Sequence, residues 1–334
     1  MPGGGTVRGS FLATVAAAAM LAGLNGCGGG GGPQATTTGH VVTTATVTSV
    51  TTVLPGTGRP QITLGDKNTP EQFVLGALYD LALTNEGFDV APTRNIGPTS
   101  VSYQALEQGS LDMYPEYLNV WNSQVAGHVK PSRSLVSSYR AGQRWAERHG
   151  LELLRPTPFS DTAGLAVTAG YASAYQLHTL EDLRTVATSM TLGVPLEFKQ
   201  DPFGLPALEQ EYGFQPASTV SVDIGSQYDE LRTGTIQAAY VGTTDAQLAG
   251  GEFTVLADPH HVNGFGNVVP VVSRATLAAE GPAFVATINQ IDALLTTPVM
   301  RRLNADVELL HEDPTKVARQ FLQAHGLLPA STSA

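Results

Sequence analysis

Short apolar strands alternate with capped helices through most of this chain. Ile62-Thr63-Leu64 has the pattern of a buried strand, and the following Thr69-Pro70-Glu71-Gln72 combines a capping box with proline at the first helical position. Apolar residues then recur at helical spacing until Gly87, which suits a helix end. Alternation of this kind predicts α/β units built on parallel sheets.

The same unit repeats in two successive sets, which predicts two α/β lobes in series. The first set ends with a helix over Ser134 to His149 and a strand over Leu151 to Leu154, and the second begins with a helix cap at Thr179. After a strand at Val268 to Val272, we expect helices in three pieces up to about His325, packed on one lobe. The other predicted strands are 88–90, 111–114, 190–194, 219–222 and 236–241, and the other predicted helices begin near residues 99, 205 and 228.

The first 26 residues have the form of an export signal. One cation, Arg8, precedes an apolar run from Phe11 to Leu24 that is too short to span a bilayer. Leu24-Asn25-Gly26-Cys27 then resembles a bacterial lipobox, and Cys27 is the only cysteine of the chain. We therefore predict a signal peptide over 1–26 and a lipid on Cys27. The alternatives are a spectator cysteine after an ordinary secretory signal and a buried free thiol.

Residues 27–59 are rich in Gly, Thr and Val and almost uncharged, which predicts a flexible tether before a body that begins near Pro60. No run of that body is long and apolar enough to span a membrane, so we expect a soluble body held at the membrane by the lipid. The formal charge of −11 and the lack of basic clusters argue against nucleic acid or anionic lipid as a partner. A small molecule, another protein, or both remain as partners.

The sequence carries no motif of a known catalytic site: no nucleophile elbow, zinc-protease helix, Walker loop or dinucleotide-binding glycine fingerprint. His260-His261 is a poor metal site, because adjacent loop histidines point in different directions and no second ligand pair has suitable spacing. We expect no cofactor, no metal and no catalysis.

Several stretches of the body resemble the solute-binding proteins of ABC importers for glycine betaine, choline, carnitine and related quaternary amines. The matches follow one another in the family's order over nearly the whole body, so they are more specific than any single motif. They are Leu64-Gly65-Asp66-Lys67-Asn68, Glu71 to Gly76, Gly109 to Tyr117, Glu197-Phe198, Gly204-Leu205-Pro206, Thr244-Asp245 and Asn267 to Val272.

The resemblance implies a two-lobed periplasmic-binding-protein fold of type II, in which each lobe is a mixed, mainly parallel sheet flanked by helices. Lobe 1 would comprise residues 60–162 plus 269–330, and lobe 2 residues 163–268. A ligand would lie in the cleft between them. The protein would be a monomeric body in the cell envelope, at the outer face of the plasma membrane or in the periplasm, and would deliver its solute to a permease served by a separate ATPase chain.

The family's binding residues can be placed on this sequence one by one. A quaternary ammonium is held by aromatic faces, and Tyr117 matches a tyrosine of that cage. Lys67 matches a cation facing the cleft. Asn68, Thr244 and Asp245 match positions near the ligand or the closing lobes. Phe265 and Asn267 lie in the return to lobe 1.

Three positions depart from the family pattern. Ala163 and Gly266 stand where relatives have cage tyrosines, and Asp201 stands where an arginine grips the ligand carboxylate. Because an aspartate repels a carboxylate, we expect a cation other than glycine betaine, such as choline, a betaine with a basic ring, or a polyamine. Phe203, Phe265 or Tyr240 could rebuild part of the cage. A sensor subunit for a membrane receptor and an extracytoplasmic enzyme are the alternative functions.

Overall fold

The structure is a computed structural model, and it describes residues 53–128, 130 and 132–330. The predicted signal peptide over 1–26 and the lipid site at Cys27 lie outside the described residues. Within the described part of the chain, no helix has the length and apolar character needed to cross a membrane.

The first lobe begins as alternating strands and helices, as the sequence predicts. Thr69 caps the first helix by accepting a hydrogen bond from the Gln72 amide at 3.3 Å, whereas the Gln72 side chain accepts from the Lys67 amide instead of closing the capping box. The elements are β1 (Gln61–Gly65), α1 (Pro70–Asn85), β2 (Asp89–Thr93), α2 (Thr99–Glu107), β3 (Met113–Tyr117), the short α3 (Leu118–Val120) with a π-helical turn (Trp121–Val125), α4 (Leu135–Arg148) and β4 (Leu151–Leu153).

The second lobe contains five more strands with helices between them. A strand at its start, Ala163–Thr168, was not predicted, because its small residues lack the apolar alternation of a strand. The elements are β5 (Ala163–Thr168), α5 (Ala169–Tyr175), two 3₁₀ turns (Leu180–Thr185 and Ala187–Ser189), β6 (Thr191–Val194), α6 (Leu196–Gln200), α7 (Leu205–Tyr212), β7 (Ser218–Ser221), α8 (Gln227–Thr233), β8 (Ala238–Gly242), a 3₁₀ turn (Ala246–Gly250) and β9 (Phe253–Val255).

The chain then returns to the first sheet and ends in helices. Val268, which the sequence placed in lobe 2, is the first residue of the returning strand. Four helices follow it among the described residues, not three, because Gly281 with φ of 77° ends one helix and Pro282 begins the next. These elements are β10 (Val268–Ser273), α9 (Arg274–Glu280), α10 (Pro282–Asp292), α11 (Thr297–Glu308) and α12 (Pro314–Ala324).

Each lobe is built on one mixed, five-stranded sheet. The strand orders are β2-β1-β3-β10-β4 and β7-β6-β8-β5-β9. In each sheet four strands point one way and one runs against them, namely β10 in the first and β5 in the second. The two reversed strands are therefore the ones that adjoin the crossings between lobes.

The two crossings contact each other at a hinge formed by residues 157–162 and 264–268. Ser160 and Asn267 form an antiparallel bridge, and the Asp161 amide donates to the Gly266 carbonyl at 3.0 Å. The Asn267 side-chain amide donates to the carbonyls of Thr157 at 2.9 Å and Phe159 at 3.1 Å. Asn267, a predicted ligand residue, therefore holds the two crossings together.

Residues 54–59 belong to lobe 1 and not to the tether predicted over 27–59. The Gly56 amide donates to the Glu86 carbonyl at 2.9 Å, and the Arg59 guanidinium donates to the Ala279 carbonyl at 2.7 Å. The body thus includes residues before the predicted start at Pro60.

A substitution at Gly266 tests how closely the two crossings approach each other. A β-carbon at this position would stand 1.6 Å from the Asp161 carbonyl oxygen, so Gly266→Ala forces the two backbones apart. We expect it to lower the free energy of unfolding by about 1–3 kcal/mol, measured by urea denaturation. Gly170→Ala is the matched control, because a β-carbon there meets no atom within 4 Å. Equal stability of the two variants would contradict the close approach.

Candidate functional site

Strand ends from both lobes converge at the hinge. Tyr117 is the last residue of β3, and not beyond its end as the sequence suggested. Val268 pairs with Tyr117, and the Leu118 amide donates to the Asn267 carbonyl at 3.0 Å, so the end of β3 lies against the returning crossing. Asp161 precedes β5, whose first residue pairs with the last residue of β8. The loop after β8 carries Thr244 and Asp245.

The side-chain ammonium of Lys67 already has its interaction partners within lobe 1. Its ammonium is paired with the Glu116 carboxylate, lies 3.4 Å from the Thr99 hydroxyl, and stands over the Tyr117 ring at 5.0 Å from the ring centroid. Glu116 is fully buried and its other oxygen accepts from Thr99 at 3.0 Å. Lys67 was predicted to face the ligand. The structure places it as the counter-ion of a buried acid and as an internal cation on Tyr117.

Tyr117 is held at its hydroxyl as well as at its ring. The hydroxyl donates to Oε1 of the buried Glu71 at 2.9 Å. Burial raises the pKa of Tyr117 well above its usual value, and the nearby carboxylates of Glu71 and Asp161 raise that pKa further. Tyr117 therefore lies close to both carboxylates and acts as a hydrogen-bond donor.

Asn304 of α11 connects the two lobes. Its amide nitrogen donates to Oε2 of Glu71 at 2.8 Å and to the Thr244 carbonyl at 2.9 Å. Arg301, one turn earlier, donates to the Thr243 carbonyl at 2.8 Å. Helix α11 thus joins the loop after β8 in lobe 2 to α1 in lobe 1. The predicted residue Thr244 takes part through its backbone carbonyl, and its side chain lowers the pKa of Glu71.

Three carboxylates meet beside this connection: Glu71, Asp161 and Asp245, called here the acid cluster. The pKa of Asp161 is raised to about 8, first by burial and then by the neighbouring carboxylates of Glu71 and Asp245, with the side chain and backbone amide of Thr244 offsetting part of the rise. Burial also raises the pKa values of Glu71 and Asp245. The cluster therefore binds protons more tightly than exposed acids do, as expected for like charges placed together in a desolvated site.

Asp245, a predicted site residue, is fixed by groups of its own lobe. Its Oδ2 accepts from the Tyr228 hydroxyl at 2.5 Å and from the Gly242 amide at 3.0 Å. Arg301 lowers the pKa of Asp245 but does not outweigh burial. Asp245 is thus the rigid lobe 2 member of the cluster.

A second tyrosine approaches the cluster from lobe 2. Burial raises the pKa of Tyr240, and Asp161 and Asp245 contribute to the rise. The Tyr240 ring packs against the Phe198 ring with centroids 4.9 Å apart. Asp161 therefore has Tyr117 as a neighbour on the lobe 1 side and Tyr240 on the lobe 2 side.

Two predicted residues, Asp201 and Phe265, line a different part of the space between lobes. This cavity of about 420 Å³ also contacts Phe203 and the lobe 1 residues Asn119 and Asn122. Asp201 is exposed, and its carboxylate accepts from the Phe203 amide at 2.9 Å. The structure therefore places Asp201 away from the acid cluster, whereas Phe265 also lines a second cavity beside the hinge, with Thr162 and Ala163. Asn68 is exposed at the start of α1.

The positions that depart from the quaternary-amine pattern are small for a structural reason. Gly266 has no space for a β-carbon beside Asp161, so a ring there is incompatible with this hinge. Ala163 opens β5 next to Asp161 and is partly exposed. Glycine at residue 266 is therefore required by the close approach of the two crossings.

Sequence reasoning did not identify Glu71, Glu116 or Asn304 as parts of the site. The sequence marks Glu71 only as part of a helix cap, and Glu116 only as part of the match over Gly109 to Tyr117. Asn304 lies in the C-terminal helices and carries no local signal, because its partners are 233 and 60 residues away. For Glu71 and Glu116 the sequence offers one signal, which is an acidic residue within a largely apolar segment.

Comparisons with known proteins agree with this architecture. Residues 60–324 match the family described as the substrate-binding domain of the ABC-type glycine betaine transport system. The chain belongs to this family. A glycine-betaine-binding protein of Pseudomonas aeruginosa is 30% identical over 280 residues, which cover 79% of this chain and 88% of that protein. The ergothioneine transport permease and binding protein EgtU of Helicobacter pylori is 25% identical over 80% of this chain and 48% of its own length.

Solved structures show the same fold. The crystal structure of a glycine betaine/carnitine/choline ABC transporter protein matches with a TM-score of 0.75 at 22% identity, over 80% of this chain and 99% of that one. Apo YehZ from Escherichia coli matches with a TM-score of 0.72 at 25% identity and the same coverage. The predicted two-lobed fold of type II is confirmed.

Family membership also confirms the predicted class of function. The chain is a substrate-binding protein of the kind that works outside the cytoplasm and passes a small solute to an ABC permease. The family is one of binding proteins and not of enzymes. The identity of the solute is a separate question, which family membership alone does not answer.

The role assigned to Lys67 is tested by a double-mutant cycle with Glu116. Lys67→Met leaves a fully buried carboxylate without its counter-ion, so we expect a loss of about 3–5 kcal/mol in the free energy of unfolding by urea denaturation. In the double variant Lys67→Met/Glu116→Gln most of the lost stability should be recovered, because no unpaired charge is left. Additive losses from the two single variants would show that the pair is not coupled.

Proposed function

We propose that this protein captures a small organic cation at the acid cluster between its lobes and delivers it to an ABC permease served by a separate ATPase chain. The observation that carries the proposal is the convergence of three carboxylates from different parts of the fold. Glu71 comes from lobe 1, Asp161 from the hinge and Asp245 from lobe 2. A cation placed among them would interact with both lobes at once.

The charge balance around the cluster supports a cationic ligand. Lys67 is already paired with Glu116, and Arg301 lies near Asp245. Glu308 is a further acid whose pKa is raised by burial and by Asp245 and Glu71. One guanidinium thus faces several carboxylates. A cation about 4 Å from one carboxylate would gain roughly 4 kcal/mol in an environment of intermediate dielectric constant.

The tyrosines supply the second element of cation recognition. Tyr117 and Tyr240 both lie near Asp161, one from each lobe. Tyrosine faces attract cations, and the hydroxyls can bind polar groups of a solute. The site therefore combines charge with a reduced aromatic surface, in place of the four-sided cage of a quaternary-amine protein.

Binding of a cation would favour the closed arrangement of lobes. Without it, Asp161 and Asp245 repel one another and Glu71, and protonation must relieve that repulsion. With it, the same charges attract a shared ligand, and the Asn304 connection between Glu71 and Thr244 is kept. Differential binding to the closed state is what drives hinge closure.

The solute class proposed is a small cation that need not carry a carboxylate. The related proteins are described as binding proteins for glycine betaine, ergothioneine and carnitine. The carboxylates of the acid cluster would themselves repel a carboxylate on the ligand, whereas Asp201 lines a separate cavity. Choline, a betaine with a basic ring and a polyamine fit this description. Export through residues 1–26, a lipid at Cys27 and a monomeric body are parts of the same proposal.

The proposal is tested by comparing choline with its neutral carbon isostere 3,3-dimethyl-1-butanol, and by screening further amines, in thermal shift and calorimetry. We expect cations to raise the melting temperature of the chain and the neutral isostere to have no effect. Asp161→Asn should weaken binding of the cations that bind by at least about tenfold, since a charged contact is lost.

Asp223→Asn is the matched control, because Asp223 is exposed on lobe 2 and the charge change is the same. Equal binding of cations and neutral isosteres, or equal effects of the two variants, would contradict the proposal. So would a screen in which no cation binds.

The raised pKa of Asp161 predicts a pH dependence of affinity. Below its pKa of about 8, Asp161 is protonated in the free protein, and a cation must displace that proton. Affinity for a cation of fixed charge should therefore rise by up to about tenfold per pH unit towards pH 8 and become level above it. Glu71, Asp245 and Glu308 also have raised pKa values. Arg301 stays charged over this range. The rise of affinity with pH should therefore extend over a broader range below pH 8.

Calorimetry in buffers of different ionisation enthalpy measures the same effect as protons released on binding. Asp161→Asn should reduce the number released and flatten the upper part of the pH profile. An affinity that falls as the pH rises, or no proton release in the unaltered chain, would contradict the assignment.

A further inference from the structure

Two carboxylates of the acid cluster are aimed at one place. A β-carbon built on Gly242 would stand 2.5 Å from Oδ1 of Asp245 and 3.4 Å from Oδ1 of Asp161. The two oxygens therefore flank the same side of Gly242, one held by lobe 2 and one by the hinge. A side chain at residue 242 would crowd both oxygens.

Two buried acceptors near the acid cluster receive no hydrogen bond from the described residues. The side chain and backbone amide of Thr244 lie close enough to Asp161 to lower its pKa, but no hydrogen bond reaches Oδ1 of Asp161 or Oδ1 of Asn304. The orientation of the Asn304 amide is fixed, because its nitrogen faces two acceptors, the Glu71 carboxylate and the Thr244 carbonyl. Asn304 is only 3% exposed, so its oxygen is an unpartnered acceptor deep in the site.

Aromatic faces are scarce at the same place. One face of Tyr117 already carries the Lys67 ammonium, and the ring of Tyr240 packs on Phe198. Gly266 excludes any ring beside the Asp161 carbonyl. The site offers oxygen acceptors where a cage for methylated nitrogen would offer ring faces.

We infer that the cationic nitrogen of the solute carries at least one hydrogen, which it donates to Asp161 and its neighbours, so that the site prefers protonated amines to fully quaternary ones. The inference rests on the proposed function and specifies its substrate class. A primary, secondary or tertiary ammonium, or a protonated basic ring, meets the requirement.

The reason is the asymmetry of hydrogen bonding in a buried site. A quaternary nitrogen beside Asp161 and Asn304 has no hydrogen to give them, so the acceptors remain unsatisfied. A protonated amine of nearly the same size brings the same charge and at least one donor. Hydrogen bonds that involve charged groups are among the strongest in proteins, so one N–H should produce a measurable preference.

The test compares pairs of solutes that differ by one N-methyl group. N,N-dimethylethanolamine is compared with choline, and N,N-dimethylglycine with glycine betaine, by calorimetry on the purified chain at about neutral pH, where the amines are protonated. We expect the protonated member of at least one pair to bind about tenfold or more tightly than its quaternary partner.

Asp161→Ala removes the unpartnered acceptor and keeps the Asp161 backbone amide that donates to Gly266. In this variant the preference within a pair should fall by about tenfold, while Asp223→Ala, an exposed carboxylate of lobe 2, should leave it unchanged. The comparison uses a ratio of affinities, so a general loss of binding does not imitate the effect.

The outcomes separate the two proposals. Equal or tighter binding of the quaternary members overturns this inference and leaves cation capture standing. A preference that Asp161→Ala does not change overturns the role of Asp161. Absence of binding for both members of every pair contradicts this inference together with the proposed function.

Discussion

The close contact between the two crossings at the hinge determines where everything else in the site lies. The backbone of Asp161 meets that of Gly266 at a distance that admits no β-carbon, and Asn267 ties the same crossing to the carbonyls of Thr157 and Phe159. This contact places the side chain of Asp161 between the end of β3 and the end of β8. Outside the hinge, α11 also joins the lobes, through Asn304 and Arg301.

Charge distinguishes this site from a cage of rings. The protein buries the Lys67–Glu116 pair inside lobe 1, where it fixes the end of β3 and occupies one face of Tyr117. At the junction of the lobes, Glu71 and Asp245 accept hydrogen bonds, whereas Oδ1 of Asp161 accepts none among the described residues. Buried like charges are unfavourable on their own, so an arrangement of this kind is consistent with a site whose stable form includes a bound cation or a bound proton.

Local patterns in the sequence predict most of the fold but little of the site. The start of α1 and both ends of α7 are predictable from a few residues each, because Thr69, Gly204 and Gly213 are cap residues next to the helices that they begin or end. β5 was missed because Ala163 and Gly164 have no strand pattern, and the C-terminal helices were miscounted across Gly281. The partner of Lys67 lies 49 residues away and that of Asn304 233 residues away, so their roles depend on tertiary packing. Family resemblance assigned Tyr117 to the ligand cage and Asp245 to a position near the ligand or the closing lobes. It could not show that Lys67 is paired with Glu116 or that Asp201 lines a separate cavity.

The central claim is that the acids at the hinge hold a cation between the lobes. A crystal structure of the chain with a bound solute from the screen tests it most directly. The account predicts closed lobes, with the cationic nitrogen within hydrogen-bonding distance of Asp161, next to Asp245 and within contact distance of Tyr117 or Tyr240. A solute bound only in the cavity lined by Asp201 and Phe203, with no group near Asp161, would contradict it.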